Sequence, residues 1–388
     1  MSVTAAAGFR AAGVSAGVKA TGAKDVAVVV NDGPGASAAV VFTSNRCVAN
    51  PVIWSREVMV DGTASAVVLN SGGANCYTGE FGYETSRMTA ETAAHALGLH
   101  PRDVIVCSTG LIGSGDERFR NAVIAGTNAA IDALGSNEAS SRNAAEAILT
   151  TDTVTKEAIR RHPDGWRIGA MAKGAGMLAP GLATMLVVIT TDADLEHPEL
   201  DQALREACRT TFNRLDSDGC MSTNDTVALL ASGASGIEPN VNDFTELLRD
   251  LCSDLAHQLQ ADAEGAHHNV AITARGAATE QEAEDVARAI SRSNLMMTAI
   301  FGNDPNWGRV LAAAGTANAQ FDPSVLDVII NGRMVCRGGT PHEAPETVDM
   351  SARDVEIIID LHEGEHEATI LTNDLTHDYV HENSAYSS

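Results

Sequence analysis

The sequence predicts an α+β fold in which layered mixed sheets are flanked by helices. Three observations support this prediction. Segments with the composition and alternation of strands recur along the whole chain, and amphipathic segments of helical period lie between them. No Pro- or Ser-rich linker, low-complexity tract or internal repeat divides the 388 residues. At this length the chain can bury a large core, as one large domain or as two ordinary ones.

In the first half of the chain, short valine-rich segments predict strands, because β-branched side chains suit a pleated and buried surface. They cover residues 25–30, 37–43, 64–70 and 103–107. Alanine-rich segments whose apolar residues recur every three or four positions predict helices instead. They cover residues 84–98, 117–134 and 140–149.

In the second half, apolar runs and alternating segments predict further strands, at residues 184–190, 222–231, 269–275, 295–301, 325–336, 354–361 and 366–372. Amphipathic segments predict helices at residues 197–213, 242–259, 279–293 and 306–314. The last helix begins at Asn306, whose side chain is of a type that caps helix N-termini. Both halves thus mix helices with strands, as an α+β fold requires.

Composition narrows the class of function. The chain has 51 acidic against 26 basic residues, and this net charge of −25 argues against nucleic acid or an anionic membrane as a partner. No apolar run approaches the roughly 18–20 residues of a membrane span, and residues 1–22 lack the basic start of a secretory signal. Seven cysteines are widely spread and never have C-x-x-C spacing, which suits reduced thiols better than disulfides or a zinc site. We therefore expect a soluble, cytoplasmic protein.

The chain is organised around the stretch from Met171 to Ala193, where a glycine-rich loop leads directly into an apolar run. Thr184 stands at that junction and is preceded by the small Ala183. Threonine is an ordinary strand residue, so a plain structural role is one interpretation. The other is a nucleophile, because a threonine hydroxyl can be activated by its own α-amine once the preceding peptide bond is cut. That amine has a pKa of about 7.7–8.0, so no histidine is needed near neutral pH.

The segment KGAGMLAPGLATMLVVITTDA at residues 173–193 resembles the signature of the ornithine acetyltransferase (glutamate N-acetyltransferase) family. The resemblance implies that the precursor cuts itself between Ala183 and Thr184 and then uses Thr184 as an N-terminal nucleophile. It implies two interleaved chains, residues 1–183 and 184–388, in a fold similar to that of the self-processing aminopeptidases. Further motifs match in order and spacing: CSTGLIG at 107–113, TTDT at 150–153, STNDT at 222–226, DAEGA at 262–266, AIFGNDPNWGR at 299–309 and NSAYSS at 383–388.

The resemblance also assigns the other site residues. The Thr109 hydroxyl and the Gly110 amide would form the oxyanion hole, although a polar turn that simply ends a strand is the plain interpretation of these two residues. Lys173 would offer a cation to a substrate carboxylate and Glu264 an anion to an amine, which suits an amino acid substrate. No cofactor and no metal is expected. The family's substrate-contacting positions correspond here to Thr150, Lys173, Thr184, Glu264, Asn383 and Ser388.

For the reaction, the resemblance implies transfer of an acetyl group from N-acetyl-L-ornithine to L-glutamate through an acetyl-threonine intermediate, a recycling step of arginine biosynthesis. Acetyl-CoA is a donor for some members of the family, and the expected assembly is a heterotetramer of two α and two β chains. An N-terminal-nucleophile aminopeptidase or amidase, which passes the acyl group to water, is the alternative enzyme. A non-catalytic binding or scaffold protein, with Thr184 as a strand residue, is the alternative from a different class.

Two histidine-containing segments call for separate interpretation. His267 and His268 follow the DAEGA motif where the family commonly has Thr-Lys, and we expect both on a solvated strand edge. The HEGEH segment at 362–366 matches the zinc-protease pattern H-E-x-x-H, which requires both histidines on one helix face. Its alternating flanks and central glycine predict the tip of a hairpin instead.

Overall fold

The structure, a computed structural model, describes residues 2–178 and 185–385. Within these ranges the strands are β1 (Phe9–Val14), β2 (Val26–Asn31), β3 (Ala38–Phe42), β4 (Ala66–Ser71), β5 (Val104–Thr109), β6 (Lys156–Arg161), β7 (Arg167–Lys173), β8 (Leu186–Thr191), β9 (Thr226–Ala231), β10 (Asn269–Ala277), β11 (Asp327–Ile330), β12 (Arg333–Arg337), β13 (Thr340–Pro341), β14 (Asp354–Asp360) and β15 (His366–Asn373). The helices are α1 (Asn50–Val58), α2 (Gly79–Leu97), α3 (Glu117–Asp132), α4 (Glu138–Ala147), α5 (His197–Thr210), α6 (Val241–Ala261), α7 (Glu280–Ser291), α8 (Asn294–Phe301), α9 (Trp307–Ala314) and α10 (His377–Ala385).

These strands form sheets in which parallel and antiparallel neighbours are mixed. Sheet 1 has the order β1-β2-β4-β5, sheet 2 the order β3-β9-β8-β7-β6, and sheet 3 the order β13-β12-β11-β14-β10-β15. The parallel pairs are β4 with β5, β8 with β9, and β10 with β14. The predicted α+β class with layered mixed sheets is therefore confirmed.

Sheets 1 and 2 pack face to face, with helices on both outer surfaces. Successive side chains of a strand point to opposite faces, so Val188 of β8 contributes to the core between the sheets while Val187 packs outward. Helices α1, α2 and α3 cover the outer face of sheet 1, and α5 and α6 cover that of sheet 2. Sheet 3 has a separate core with α7, α8 and α9, to which Ile272, Val286 and Ile357 contribute.

In sheet 2, the two strands that follow residue 184 lie between strands that precede it. β3, β6 and β7 precede that residue and β8 and β9 follow it, and β8 lies between β7 and β9. β8 pairs along its whole length with β7, from Ile168 opposite Thr191 to Lys173 opposite Leu186. The two halves of the sequence therefore share one sheet.

Two of the predicted strands are not single strands in the structure. Residues 295–301, predicted as a strand, lie in α8, where the Ser293 hydroxyl accepts a hydrogen bond from the Met296 amide and caps the helix. A short run that is apolar on all sides has no period that separates a buried strand from a buried helix. Residues 325–336 form two strands rather than one, because Asn331 and Gly332 adopt φ angles of 46° and 76° and turn the chain between β11 and β12.

The HEGEH segment is not the tip of a hairpin. The strands that flank it, β14 and β15, are separated by β10, so the segment crosses the end of β10 instead. His362 is engaged with Asp327, with Nε2 and Oδ2 3.0 Å apart. Nowhere in residues 2–178 and 185–385 do three or more His, Cys, Asp or Glu side chains converge in a way that could hold a metal ion.

Candidate active site

A cavity of about 480 Å³ opens where β5 and β7 end and just before β9 begins. It brings together residues from six of the motifs quoted in the sequence analysis. The predicted nucleophile Thr184, the preceding Ala183 and the terminal Ser388 lie outside the described residues, so their roles stay predictions. The predicted residues in the described part of the lining are Thr109, Gly110, Thr150, Lys173, Glu264 and Asn383.

The Thr109–Gly110 turn is fixed by the backbone segment that follows β4. The Thr109 carbonyl accepts hydrogen bonds from the amides of Gly72 and Gly73 at 2.9 and 3.1 Å. Gly110 has a φ of 129°, and a Cβ atom there would lie 2.5 Å from the Gly73 nitrogen. Only glycine can occupy this position without displacing the turn.

Asn224, in the polar segment before β9, supports the same turn from sheet 2. Its side-chain amide donates to the Ser108 carbonyl at 2.9 Å and to the Ala74 carbonyl at 2.7 Å. The Ser108 hydroxyl in turn donates to Asn70 Oδ1 at 2.6 Å. The end of β4, the glycines that follow it and the segment before β9 thus hold the turn in place. A hydroxyl and a backbone amide at a rigid turn are the kind of preorganised donors that stabilise an oxyanion.

Lys173, the last residue of β7, places a buried cation beside this turn. Its ammonium donates to Thr150 Oγ1 at 2.7 Å and to Thr109 Oγ1 at 3.4 Å, and Asp152 Oδ2 lies 3.7 Å from it. Burial lowers the pKa of Lys173, while Asp152 opposes the shift. Burial by itself would raise the pKa of Asp152, but Lys173 and Lys156 outweigh it, so that this pKa falls below its usual range. We therefore treat Asp152 and Lys173 as an ionised pair.

Asp152 also shapes the TTDT loop around Lys173. Its carboxylate accepts the Gly174 amide at 2.6 Å, the Thr150 amide at 3.0 Å and the Lys156 ammonium at 2.7 Å. Lys156 is buried as well and is shared with Asp262, which follows α6. This network orients Thr150 and Lys173 toward the cavity.

Glu264 and Asn383 form the anionic part of the lining. The Asn383 side-chain amide donates to Glu264 Oε2 at 3.0 Å, and the Glu264 backbone amide donates to the Ala175 carbonyl at 2.9 Å. A Cβ atom on Gly176 would lie 2.5 Å from the Glu264 carboxylate, so the absence of a side chain there allows the close approach. Helix α10, which carries Asn383, is attached to the DAEGA turn by the Thr376 hydroxyl, which donates to the Gly265 carbonyl at 2.6 Å.

Comparison with known proteins decides the family. The model of the ArgJ family matches residues 10–388. The arginine biosynthesis bifunctional protein ArgJ of Streptomyces coelicolor is 57% identical over 388 residues, covering 100% of both chains. The protein of the same name from Thermobifida fusca is 55% identical over 389 residues, again with 100% of both covered. The chain belongs to the ArgJ family.

Among solved structures, the chain is similar to ornithine acetyltransferase complexed with ornithine from Mycobacterium tuberculosis. The sequence identity is 45% and the TM-score 0.45, over 48% of this chain and 96% of that one. None of the described helices is long and apolar enough to cross a membrane.

Two residues at the site of this ArgJ-family chain, Lys19 and Asp225, were not predicted from the sequence. Lys19 lines the cavity, but a lysine in a glycine-containing loop gives no signal by itself. Asp225 lies in the STNDT motif, immediately before β9, and is fully buried. Its Oδ1 accepts the Met185 amide at 3.2 Å, whereas its Oδ2 has no hydrogen-bond partner in the described chain. Burial raises the pKa of Asp225 well above its usual value. The sequence feature that could have indicated Asp225 is its place in a polar run directly before a buried strand.

The expectation of a solvated strand edge for both histidines after the DAEGA motif is wrong for His268. The Asp374 carboxylate accepts the backbone amides of His267 and His268, each at 2.9 Å, and lies 2.7 Å from His268 Nδ1. His268 is consequently buried, while His267 is half-exposed and contacts Asp378 at 2.8 Å. Neither histidine is in the described part of the ArgJ-family cavity lining.

Proposed function

We propose that this ArgJ-family chain is a glutamate N-acetyltransferase that moves the acetyl group of N-acetyl-L-ornithine to L-glutamate through Thr184. The observation that carries the proposal is the meeting, in one cavity, of a rigid turn with two donors, a buried lysine and a carboxylate. The name of the relatives, arginine biosynthesis bifunctional protein, agrees with such a pair of substrates. Cleavage between Ala183 and Thr184 is the first step, because the nitrogen of Thr184 can act as a base only when it is a free α-amine and not an amide.

In the first half-reaction, the Thr184 hydroxyl attacks the acetyl carbonyl carbon and its proton passes to the α-amine of the same residue. The carbonyl oxygen becomes an oxyanion, which the Thr109 hydroxyl and the Gly110 amide stabilise. The α-amine then returns the proton to the ornithine nitrogen as the C–N bond breaks. Ornithine leaves, and the acetyl group remains as an ester on Thr184.

In the second half-reaction, the neutral amine of L-glutamate attacks the ester carbonyl and the same two donors hold the second oxyanion. The ester C–O bond breaks, and the proton lost by the glutamate nitrogen passes through the α-amine to the Thr184 oxygen. Lys173 provides the cation for the α-carboxylate that both substrates share. Glu264, held by Asn383, provides the anion for the side-chain ammonium of ornithine.

The decisive experiment supplies N-acetyl-L-ornithine without L-glutamate and follows the mass of the 184–388 chain. We expect it to gain one acetyl group and to lose it when L-glutamate is added. Thr184→Ala, which lacks the attacking hydroxyl, serves as the control that cannot be acetylated. Release of acetate at a rate independent of L-glutamate would contradict the transferase proposal and support an amidase.

Acetyl-CoA as a second donor is part of the same proposal, because the relatives are named bifunctional. The same mass measurement tests it, with acetyl-CoA in place of N-acetyl-L-ornithine. We also propose a cytoplasmic heterotetramer of two 1–183 and two 184–388 chains. Sedimentation of the purified enzyme tests the assembly, since a mass of one pair of chains would contradict it.

A further inference from the structure

The loop between β1 and β2 forms a wall of the cavity through residues 18–21. Asp25, which is fully buried, organises this loop. Its carboxylate accepts the backbone amides of Ala16, Val18 and Lys19 at 2.6, 2.8 and 3.0 Å. A carboxylate that binds three amides holds the backbone in one arrangement, because each charge-assisted bond would be lost if the loop moved.

Lys19 packs beside the oxyanion turn. A Cβ atom on Gly72 would lie 3.2 Å from Lys19 Cγ, so the lysine stem runs along this glycine. The Gly72 amide is one of the two amides that donate to the Thr109 carbonyl. The Lys19 side chain is therefore placed by the same short segment that holds the Thr109–Gly110 turn.

Of the two lysine ammonium groups in the described lining, that of Lys19 makes fewer hydrogen bonds and ion pairs. It donates one hydrogen bond, to the Lys24 carbonyl at 2.7 Å, and has no ion-pair partner in the part of the chain that the structure describes. An ammonium has three donors, so two are available to a ligand. Burial lowers the pKa of Lys19; Asp25 opposes this shift and Lys173 adds to it. By contrast, the charge of Lys173 is matched by Asp152.

This inference rests on the proposed function, which names two substrates. The charged groups of the cavity lining match the charges of these two substrates. The charged side chains in the described lining are Lys19, Lys173 and Glu264. The donor has one carboxylate and one side-chain ammonium, which Lys173 and Glu264 accommodate. The acceptor has two carboxylates, and Glu264 repels the second of these. We propose that Lys19 binds the side-chain carboxylate of L-glutamate and thereby selects a dicarboxylic acceptor.

The test separates the two half-reactions in Lys19→Met, which keeps an unbranched four-atom stem and removes the charged ammonium. The enzyme is loaded from N-acetyl-L-ornithine and then discharged with L-glutamate or with L-glutamine, in which an amide replaces the side-chain carboxylate. We expect loading to stay within about twofold of wild type, because the donor makes no use of Lys19. Discharge by L-glutamate should slow by about 10- to 100-fold, the effect of one lost charge-assisted hydrogen bond. Discharge by L-glutamine should be unchanged.

Two further variants complete the design. Lys19→Arg keeps the cation and should retain most of the preference for L-glutamate. Lys24→Met is the matched control in the same loop, because its ammonium binds Asn143 and Glu146 and is not among the lining groups. It should behave as wild type with both acceptors.

Three outcomes would overturn the inference. Lys19→Met could retain the wild-type preference for L-glutamate over L-glutamine, it could slow both acceptors equally, or it could lose the loading step. Failure of the proposed function gives a different result, since wild-type enzyme would then form no acetyl-threonine or would not pass its acetyl group to L-glutamate.

Discussion

At the scale of the residue, the groups proposed for catalysis are each held from more than one direction. The Thr109 backbone is fixed by Gly72 and Gly73, and its hydroxyl accepts a hydrogen bond from Lys173 at 3.4 Å. Because that hydroxyl oxygen is already an acceptor, its proton remains free to be donated into the cavity. The cation behind it makes the hydroxyl a better donor, since charge-assisted hydrogen bonds polarise their neighbours.

Substitution of Thr109 tests this role directly. Thr109→Ala should lower kcat by about 10²–10³ with little change in KM, the usual effect of losing one oxyanion donor. Thr109→Ser keeps the hydroxyl and should recover most of the rate. Steady-state kinetics with N-acetyl-L-ornithine and L-glutamate measure both. If Thr109→Ala retained the wild-type kcat, the turn would have only a structural role.

A second residue-scale prediction concerns Asp225, whose carboxyl is fully buried and has one oxygen without a hydrogen-bond partner among the described residues. Because burial raises the pKa of Asp225 in the folded protein, the folded state binds a proton more tightly than the unfolded chain. Stability from this group is fully present below the unfolded pKa of about 3.9 and falls as the pH rises toward the raised value. Asparagine does not titrate, so the unfolding temperature of Asp225→Asn should exceed that of wild type by a margin that grows from pH 4 to pH 7.

Asp152→Asn is the control of opposite sign. The pKa of Asp152 is lowered in the folded state through Lys173 and Lys156, in spite of its burial. The stability that Asp152 contributes to the folded state is present above the unfolded pKa and is lost as the pH falls. Asp152→Asn should therefore unfold at a lower temperature than wild type at pH 7. Thermal unfolding followed by circular dichroism at several pH values measures both variants. An Asp225→Asn curve parallel to that of wild type would contradict the assignment of a raised pKa.

At the scale of the element, the sequence predicted those strands and helices that a local hydrophobic pattern determines. Valine-rich strands such as β2 and β4 and amphipathic helices such as α6 have a clear period, and the structure contains them. β1, β6, β7, α1 and α10 were not predicted, because their composition is mixed and they are elements only through pairing or packing with distant partners. β6, for example, has the sequence KEAIRR and is a strand because it pairs with β7.

The same distinction applies to the candidate site. Thr109, Lys173 and Glu264 were predicted because each lies in a motif that could be matched as a string. Lys19 could not be, since its position in the cavity depends on Asp25 and on the close approach to Gly72. Asp225 could not be predicted either, because its burial, and the lack of a partner for one of its oxygens among the described residues, depend on the packing of distant strands.

The loop that follows β7 gives an element-scale prediction. Gly176 has no side chain to meet the Glu264 carboxylate, and the added Cβ of Gly176→Ala would lie 2.5 Å from it. The flexible end of Glu264 should move away, so the KM for N-acetyl-L-ornithine should rise by about tenfold, as expected when a charge-assisted contact is weakened. Gly308→Ala in α9 is the control, because the nearest side-chain atom to its Cβ in the described structure would be Asn306 Oδ1, at 3.6 Å. Equal KM values for wild type and Gly176→Ala would show that Glu264 does not contact the donor.

At the scale of the whole molecule, sheet 2 joins the two halves of the sequence. β8 is paired on one side with β7, which precedes residue 184, and on the other with β9, which follows it; β9 pairs in turn with β3. The core between the sheets likewise contains residues of both halves, such as Val29 and Val188. Separating the halves would expose this core and leave strand edges unpaired, both of which are strongly unfavourable in water.

The last prediction follows from this interleaving. Purified protein should run on a denaturing gel as two pieces of similar size, the second beginning Thr-Met-Leu-Val, and should elute under native conditions as one particle that contains both. Thr184→Ala should remain a single chain because it lacks the attacking hydroxyl, whereas Thr184→Ser should cleave slowly. N-terminal sequencing and size-exclusion chromatography make the measurement, and an unfolding temperature close to that of wild type would show that the uncut Thr184→Ala chain is folded.

An intact wild-type chain with full activity would rule out the free α-amine as the base, since an amide nitrogen at Thr184 cannot accept the proton. Pieces that separated without denaturant would contradict the shared sheet.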